Sequence, residues 1–526
     1  MLQVGKSPCD DVAIRHGTAA QPCAASARRW VLIAAILGSG MAFIDGTVVN
    51  VALPAIQRDL DASVFEAQWV VESYALFLAS LLLVGGSLGD RFGRRRVFAL
   101  GVAVFGAASI ACALSRDVQQ LIAARALQGV GGALLVPGSL ALISASYPEG
   151  ERGRAIGTWS GFSGITAALG PVLGGYLVDH YSWAWAFIVN VPLALAALAI
   201  AWTRVPESRN PQASGTLDLR GALLATVGLG GVVYAFVEAP TQHWDSAPVA
   251  IAMVIGVAAL IGFIVAERRS RAPMLPLRLF RNRNFAGANL LTLLLYAALG
   301  GGLFFLPLNL IQVQGWSATA AGAALLPFIL IMFALSRWAG RLVDRVGPRL
   351  PLIVGPLSAA LGFAALALPG VDAGYWRDFF PAIAVLGFGM TVTVAPLTTT
   401  VMNAVGRDAA GTASGVNNAV SRVAGLLAIA IFGSLMAWAF DARLPEALQA
   451  ANVPPDLAAT VQAQRAKLAA VELPAHVGEA ASVAVRRAVG EAFVAGFRWI
   501  MVVSAVLALA GAAVAALFVR ADVHRA

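Results

Sequence analysis

Three charged side chains stand where charge is expensive. Asp45, Glu72 and Arg125 each lie in a run of apolar residues long enough to cross a bilayer. A charged group at the centre of a membrane helix costs about 2.5–3.5 kcal/mol on insertion scales, so such a group faces a cavity or a partner. For a carboxyl the neutral form is the cheaper one there, and the chemistry open to it is uptake and release of a proton. Asp45 therefore reads as a proton-exchanging group, or as an aspartate that is permanently paired and buried. Glu72, near the end of its run, reads as an interfacial carboxylate or as a group that handles protons or cations. Arg125 and Asp45 sit about six and about eight residues from the ends of their runs, which at 1.5 Å per residue places both roughly 10 Å deep. At matching depth they are placed to meet. A guanidinium beside a carboxyl favours its charged form, and withdrawal of the guanidinium favours proton uptake. That is a proton switch; a static ion pair bracing the helices is the alternative.

Little else in the chain offers chemistry. The five histidines, His16, His180, His243, His476 and His524, are scattered through tails and loops. No nucleophile–base pair or nucleotide motif stands out. The cysteines Cys9, Cys23 and Cys112 have neither disulfide-framework nor metal-ligand spacing. The expectation is a protein that is not an enzyme and holds no metal or cofactor.

The elements that must position these residues are membrane helices. Of 526 residues 59% are hydrophobic and 12% charged, against about 25% charged in a soluble domain. Apolar segments run near 30–53, 68–88, 97–115, 119–146, 154–178, 184–203, 218–238, 247–267, 285–313, 319–340, 350–369, 379–403, 410–440 and 491–519. The expected fold is an all-α polytopic membrane protein of about fourteen spans. The net charge of +9 does not imply a nucleic-acid partner, because the basic residues sit in short loops. Alternate loops carry them, from Arg91, Arg94, Arg95 and Arg96 through Arg268 and Arg269 to Arg345 and Arg349. Positive charge marks the cytoplasmic side, so both termini are expected there. Residues 1–29 are expected to be a disordered cytoplasmic tail, since the first apolar run is too long for a signal peptide. Residues 441–490 are expected to be one long outside loop, with helix possible at 455–471.

The ten residues from Gly86 to Arg95 and those from Gly340 to Arg349 both read G-x-L-x-D-R-x-G-x-R, at an offset of 254 residues. Matching loops in two halves mark the parallel repeats of secondary transporters. The division expected is a six-helix bundle at 30–203, two inserted helices with their flanking loops at 204–284, and a second six-helix bundle at 285–526.

Four motifs bring the chain close to a known family. Asp45-Gly46-Thr47-Val48-Val49-Asn50-Val51-Ala52-Leu53-Pro54 fits D-x-T-x-V-N-x-A-L-P, and the Gly86–Arg95 loop is the second. Arg125-Ala126-Leu127-Gln128-Gly129 fits R-x-x-Q-G, and Gly164 to Gly175 fits G-x-x-x-x-x-G-P-x-x-G-G. Together they resemble the fourteen-span drug:proton antiporter branch of the major facilitator superfamily, over nearly all of residues 30–440. Trp183–Pro192 and Gly411–Gly415 agree. The resemblance implies two six-helix bundles plus two central helices, and proton coupling at Asp45 and Arg125, with Glu72 as a further candidate. It implies a gating loop at Gly86, Asp90, Arg91, Gly93, Arg94 and Arg95, with Asp344 and Arg345 in the second copy. It implies an antiporter motif at Gly164, Gly170, Pro171, Gly174 and Gly175. Asn50, Gln128, Asn417 and Arg422 are candidates to line the pathway. Gly153, Gly157 and Gly161, at four-residue spacing, are expected to extend a groove for another helix. The polar run Thr391, Thr393, Thr398, Thr399, Thr400 and Asn403 is a candidate to line a pathway, with the threonines bonding to their own helix backbone as the alternative.

The function implied is proton-driven export of small amphipathic organic compounds by a monomer in a bacterial-type inner or plasma membrane. A dedicated exporter of one metabolite, antibiotic or siderophore is the alternative, and a non-transporting membrane sensor a remote one.

Overall fold

A computed structural model describes residues 25–209, 218–270, 273–405, 410–474 and 477–520. Among these residues the regular structure is helical throughout. Fourteen helical spans are long and apolar enough to cross a membrane, matching the count read from the apolar runs. In chain order the α-helices are α1 Ala25–Asp59, α2 Val64–Phe92, α3 Arg94–Ala113, α4 Val118–Ser146, α5 Glu149–His180, α6 Trp185–Ile188 and α7 Asn190–Arg204. They continue with α8 Leu219–Gln242, α9 Ala247–Arg269, α10 Arg283–Leu308, α11 Ala318–Ala323, α12 Leu326–Val346 and α13 Arg349–Leu366. The last are α14 Phe380–Asn403, α15 Ala410–Ala450, α16 Pro455–Ala463 and α17 Glu479–Phe518.

Three expectations need adjusting. Residues 25–29 of the expected tail are already helical in α1, while residues 1–24 lie outside the described residues. The span expected at 184–203 is two helices in sequence, α6 and α7. The loop expected at 441–490 is shorter, because α15 runs on to Ala450 and α17 begins at Glu479. The Ala- and Leu-rich stretch after Phe440 has the helix propensity to continue past the apolar run.

Capping follows local chemistry. The Ser63 hydroxyl accepts from the Glu66 amide at 3.2 Å while the Glu66 carboxylate accepts from the Ser63 amide at 2.9 Å, a reciprocal box that opens α2. Asp117 accepts from the Gln120 amide at 2.8 Å and opens α4.

The chain divides into two compact units. One comprises Met1–Val49, Ser73–Leu229 and Ala258–Met274, the other Asn50–Glu72, Gly230–Val257 and Leu275–Ala526. In the first unit α3 and α4 touch backbone to backbone: a Cβ at Gly101 would lie 2.7 Å from the Leu135 nitrogen, and one at Gly131 2.6 Å from the Phe105 nitrogen. Small residues permit this approach. Phe98, Val102, Phe105, Leu135 and Leu142 form the buried core there, with Ala194 and Ala197 of α7. In the second unit α13 and α14 meet closely at Gly362 and Gly389, and α10 meets α13 where Gly302 faces the Phe363 ring.

The short helix α16 and the turn after it are tied down by one ion pair, between Lys467 and Asp61. That hydrogen bond raises the Lys467 ammonium above its ordinary value of 10.5. A raised pKa in the folded state adds stability that is fully present below the unfolded value and is lost as pH climbs through the folded one. The pair is partly exposed, so Lys467→Met should cost less than about 1 kcal/mol. The difference from wild type, measured by unfolding in detergent, should be constant through neutral pH and vanish only at strongly alkaline pH.

Candidate functional site

Asp45 lies on α1 with none of its side chain exposed. A bare carboxylate there would be untenable, and three donors surround it. The Arg125 Nη1 group of α4 donates to Oδ2. The Gln128 amide, one turn further along α4, donates to Oδ1 at 2.7 Å. The Asn190 amide at the start of α7 donates to the same oxygen at 3.2 Å. Arg125 and Gln128 reach one target because residues three apart share a helix face. The expectation that Asp45 and Arg125 lie at one depth and meet corresponds to this pair.

The arginine is itself enclosed, at 1% exposure. Its guanidinium stands 4.3 Å from the Tyr74 ring centroid and 5.7 Å from that of Phe187, so two aromatic faces replace part of its hydration. It also donates to the Gln128 carbonyl at 2.6 Å. The remaining Gln128 hydrogen goes to the Ser109 hydroxyl at 3.0 Å, and the Cys112 thiol lies 3.7 Å from the Gln128 carbonyl. A charge-balanced, hydrogen-bonded network therefore joins α1, α3, α4 and α7. Such a network is rigid while complete and expensive when one member is lost.

Of the candidates for lining a pathway, Gln128 thus belongs to the Asp45 network. Asn50 falls in the second unit, where its Oδ1 is buried without a hydrogen bond among the described residues. Asn417 of α15 donates to Asn289 at 3.2 Å and Thr292 at 2.7 Å on α10. Arg422 is half-buried on the same helix. The five threonines of α14 all donate to the carbonyl four residues earlier, from Thr391 to Gly387 through Thr400 to Pro396. Each hydroxyl proton is thus satisfied within the helix, while Thr398 and Thr399 stay exposed. Glu72 also belongs to the second unit and is fully buried.

The repeated loop gains a physical reading. Gly93 breaks the chain between α2 and α3 at φ +111°, and Gly347 does so between α12 and α13 at φ +73°. Both are conformations that side chains disfavour, which explains a glycine at the eighth position of each copy. The last arginine of each copy also has one job. Arg95 donates to the Val205 carbonyl just past α7 at 3.2 Å, and Arg349 donates to the Ala516 carbonyl near the end of α17 at 2.6 Å. Each cation satisfies carbonyls and the negative dipole end at a helix C-terminus of its own unit. The Asp90–Arg94 pair has no counterpart between the same two positions of the second copy. Arg94 holds Asp90 at 2.8 Å, but the residue at its position in the second copy is Pro348, which has no cation. Arg91 and Arg345 are exposed, and the Asp344 side chain lies outside what is described.

Asp90 pairs with the Arg94 side chain, but it is not the acid that accepts from a backbone amide at the start of α3. That is Glu207, whose carboxylate accepts from the Arg95 amide at 3.0 Å and lies 3.7 Å from both Arg95 and Arg96. A Cβ on Gly93 would stand 2.7 Å from this carboxyl. Sequence reading missed Glu207, since a lone acid after an apolar run looks like ordinary loop. Replacing it by Gln should cost about 1 kcal/mol in unfolding measurements, the scale of a cap and a helix-end charge.

In the Gly164–Gly175 motif, Gly170 and Gly174 of α5 lie directly against Thr47 and Val48 of α1. These two residues flank the site, since Asp45 precedes them on the same helix. Pro171 and Gly175 are buried between and beside them. The glycines nearer the start of α5 border open space instead. Around Gly153, Gly157, Gly161 and Gly164 no described atom lies within 4 Å of where a Cβ would be.

Comparison with known proteins agrees with this architecture. The chain is 34% identical over 502 residues to the tetracenomycin C resistance and export protein of Streptomyces glaucescens, covering 94% of this chain and 92% of the relative. It is 38% identical over 423 residues to the puromycin resistance protein pur8 of Streptomyces alboniger, covering 80% and 84%. Among solved structures it shares its fold with a bacterial homolog of the human lysosomal transporter Spinster, at a TM-score of 0.66 and 20% identity, covering 96% of this chain and all of that one. The family model described as Major Facilitator Superfamily matches residues 35–429. With its fourteen apolar helices and its buried Asp45–Arg125 pair, the chain belongs to the Major Facilitator Superfamily.

Proposed function

We propose that this protein exports small amphipathic organic compounds across a bacterial-type cell membrane in exchange for protons, as a monomer with both termini in the cytoplasm. The observation that carries the reading is the enclosed Asp45 carboxylate, held by Arg125, Gln128 and Asn190. A proton arriving at Asp45 cancels its charge and weakens all three bonds at once. Arg125 then loses its counter-ion, and the packing of α1 against α4 and α7 has a second state to move to. A proton thus biases a two-state equilibrium through differential interaction, as any ligand must. A membrane potential of 100 mV adds about 2.3 kcal/mol per charge moved, enough for one or two protons to sustain a useful gradient. The resistance and export relatives support the direction of transport.

The experiment is ΔpH-driven drug uptake into inverted vesicles. Asp45→Asn should abolish it while leaving substrate binding measurable. Undiminished uptake would rule out Asp45 as the coupling residue.

A second reading is export of a single compound. It is favoured by relatives named for one antibiotic each, tetracenomycin C, methylenomycin A and puromycin, beside one named for multidrug resistance. A resistance panel in an exporter-deficient host separates the two: protection against one compound alone supports the dedicated exporter.

A further inference from the structure

The helix α8, first of the pair expected between the two bundles, is built into a contact between α2 and α15. Pro240 lies inside α8 and has no N–H, so the Phe236 carbonyl four residues earlier gets no donor from its own helix. An unmet carbonyl within a bilayer is expensive. The Ser434 hydroxyl of α15 donates to it. The residue before Ser434 receives α2. A Cβ on Gly433 would overlap the Gln68 amide, which donates to the Ile429 carbonyl at 2.6 Å. The next residue of α2 closes the triangle. The Trp69 indole donates to the Glu238 carboxyl of α8 at 3.1 Å, and its ring stands 6.2 Å from that of Tyr234, one turn earlier on α8. Gln242 holds the other Glu238 oxygen at 2.9 Å. Behind α8, α9 comes so close that a Cβ on Gly231 would lie 2.6 Å from the Ala252 carbonyl oxygen.

Two adjacent residues of α15 thus hold two other helices, Gly433 by lacking a side chain and Ser434 by supplying a hydroxyl. We propose that α8 is a clasp, which fastens α2 to α15 at their extracytoplasmic ends and must let go before the two can separate. Ser434, Trp69 and Glu238 are then positioning residues for transport, with no need to touch cargo or proton. Opening the clasp breaks the Ser434 bond and strands the Phe236 carbonyl. Pro240 therefore makes separation costlier than it would be beside an unbroken helical ladder. The inserted pair becomes a working part of the cycle, not a spacer between bundles. This rests on the exporter reading for its place in transport, but the clasp itself needs neither a proton nor a substrate.

The test uses the full-length protein in intact cells, with a reporter thiol introduced by Ala437→Cys. Ala437 lies one turn beyond Gly433 and is 5% exposed. A membrane-impermeant maleimide added outside should label it slowly, with the native cysteines alone as the blank. Ser434→Ala, or Trp69→Phe, which keeps a ring but loses the donor, should speed labelling about fivefold, the shift in a two-state population that one lost hydrogen bond produces. Gly433→Ala should do likewise by expelling the Gln68 amide. Pro240→Ala is the deciding variant, because it restores the missing N–H. Labelling should then speed up with no fall in the unfolding midpoint of the purified protein. In that background Ser434→Ala should add less than about twofold, since the two changes act on one carbonyl. Unchanged labelling in Ser434→Ala and Pro240→Ala overturns the clasp. So does labelling that rises only where the unfolding midpoint falls, as merely loosened packing would give. A full Ser434→Ala effect in the Pro240→Ala background overturns the role of the stranded carbonyl. If labelling behaves as stated while Asp45→Asn exports normally, the coupling reading fails and the clasp stands.

Discussion

Replacing Arg125 with leucine should lower the unfolding free energy by about 3–5 kcal/mol, the cost of leaving one member of a buried ion pair without the other. The size follows from the enclosure of both groups, at 1% and 0% side-chain exposure. With Arg125 gone, Asp45 keeps only the Gln128 and Asn190 amides. Gln128 also loses the donor to its carbonyl, and the Tyr74 and Phe187 faces lose the cation between them. The double variant Asp45→Asn/Arg125→Gln removes both charges and keeps hydrogen-bonding groups in place. It should recover at least half of the loss, since a neutral pair carries no desolvated charge. Denaturant unfolding in detergent of the single, partner and double variants gives the coupling energy directly. Additive losses would mean that the two charges do not depend on each other. Arg125→Lys should fall between leucine and wild type, because an ammonium keeps a counter-charge for Asp45 but lacks the flat guanidinium that lies against the Tyr74 ring.

Gly93→Ala should be the next most damaging change, and Gly347→Ala a milder one. Both positions hold a positive φ, +111° and +73°, where a side chain costs about 1–3 kcal/mol. At Gly93 a further loss is expected, because the new methyl would displace the Glu207 carboxyl that caps α3 and lies beside Arg95 and Arg96. Losing such a cap costs about 1 kcal/mol. The combined variant Gly93→Ala/Glu207→Ala should therefore be no less stable than the sum of the single changes, and more stable if the clash dominates. Thermal unfolding in detergent tests both statements. Equal effects at Gly93 and Gly347 would show that Glu207 adds nothing.

Much about this protein was decided by sequence alone. Runs of apolar residues long enough to cross a bilayer permit little but helices, since every backbone polar group must be satisfied within the segment. The count of fourteen follows from that constraint, and the repeated loop stands in the sequence itself at residues 86–95 and 340–349. The pairing of Asp45 with Arg125 was legible too, because two opposite charges in hydrocarbon need each other and helix rise sets their depth. What sequence could not decide is which neutral groups complete the pair. Asn190, Ser109, Cys112 and Tyr74 reach the network from other helices, and no spacing along the chain records that. Glu207 was hidden for the same reason: its importance lies in folding back onto α3, far from it in sequence. The threonines of α14 could have bonded to other groups or to their own backbone, and in the structure all five donate to the carbonyl four residues earlier. Above all, Asp45 and Glu72 look alike as acids in apolar runs. Only the tertiary structure distinguishes them, by giving one carboxyl three side-chain donors and the other none among the described residues.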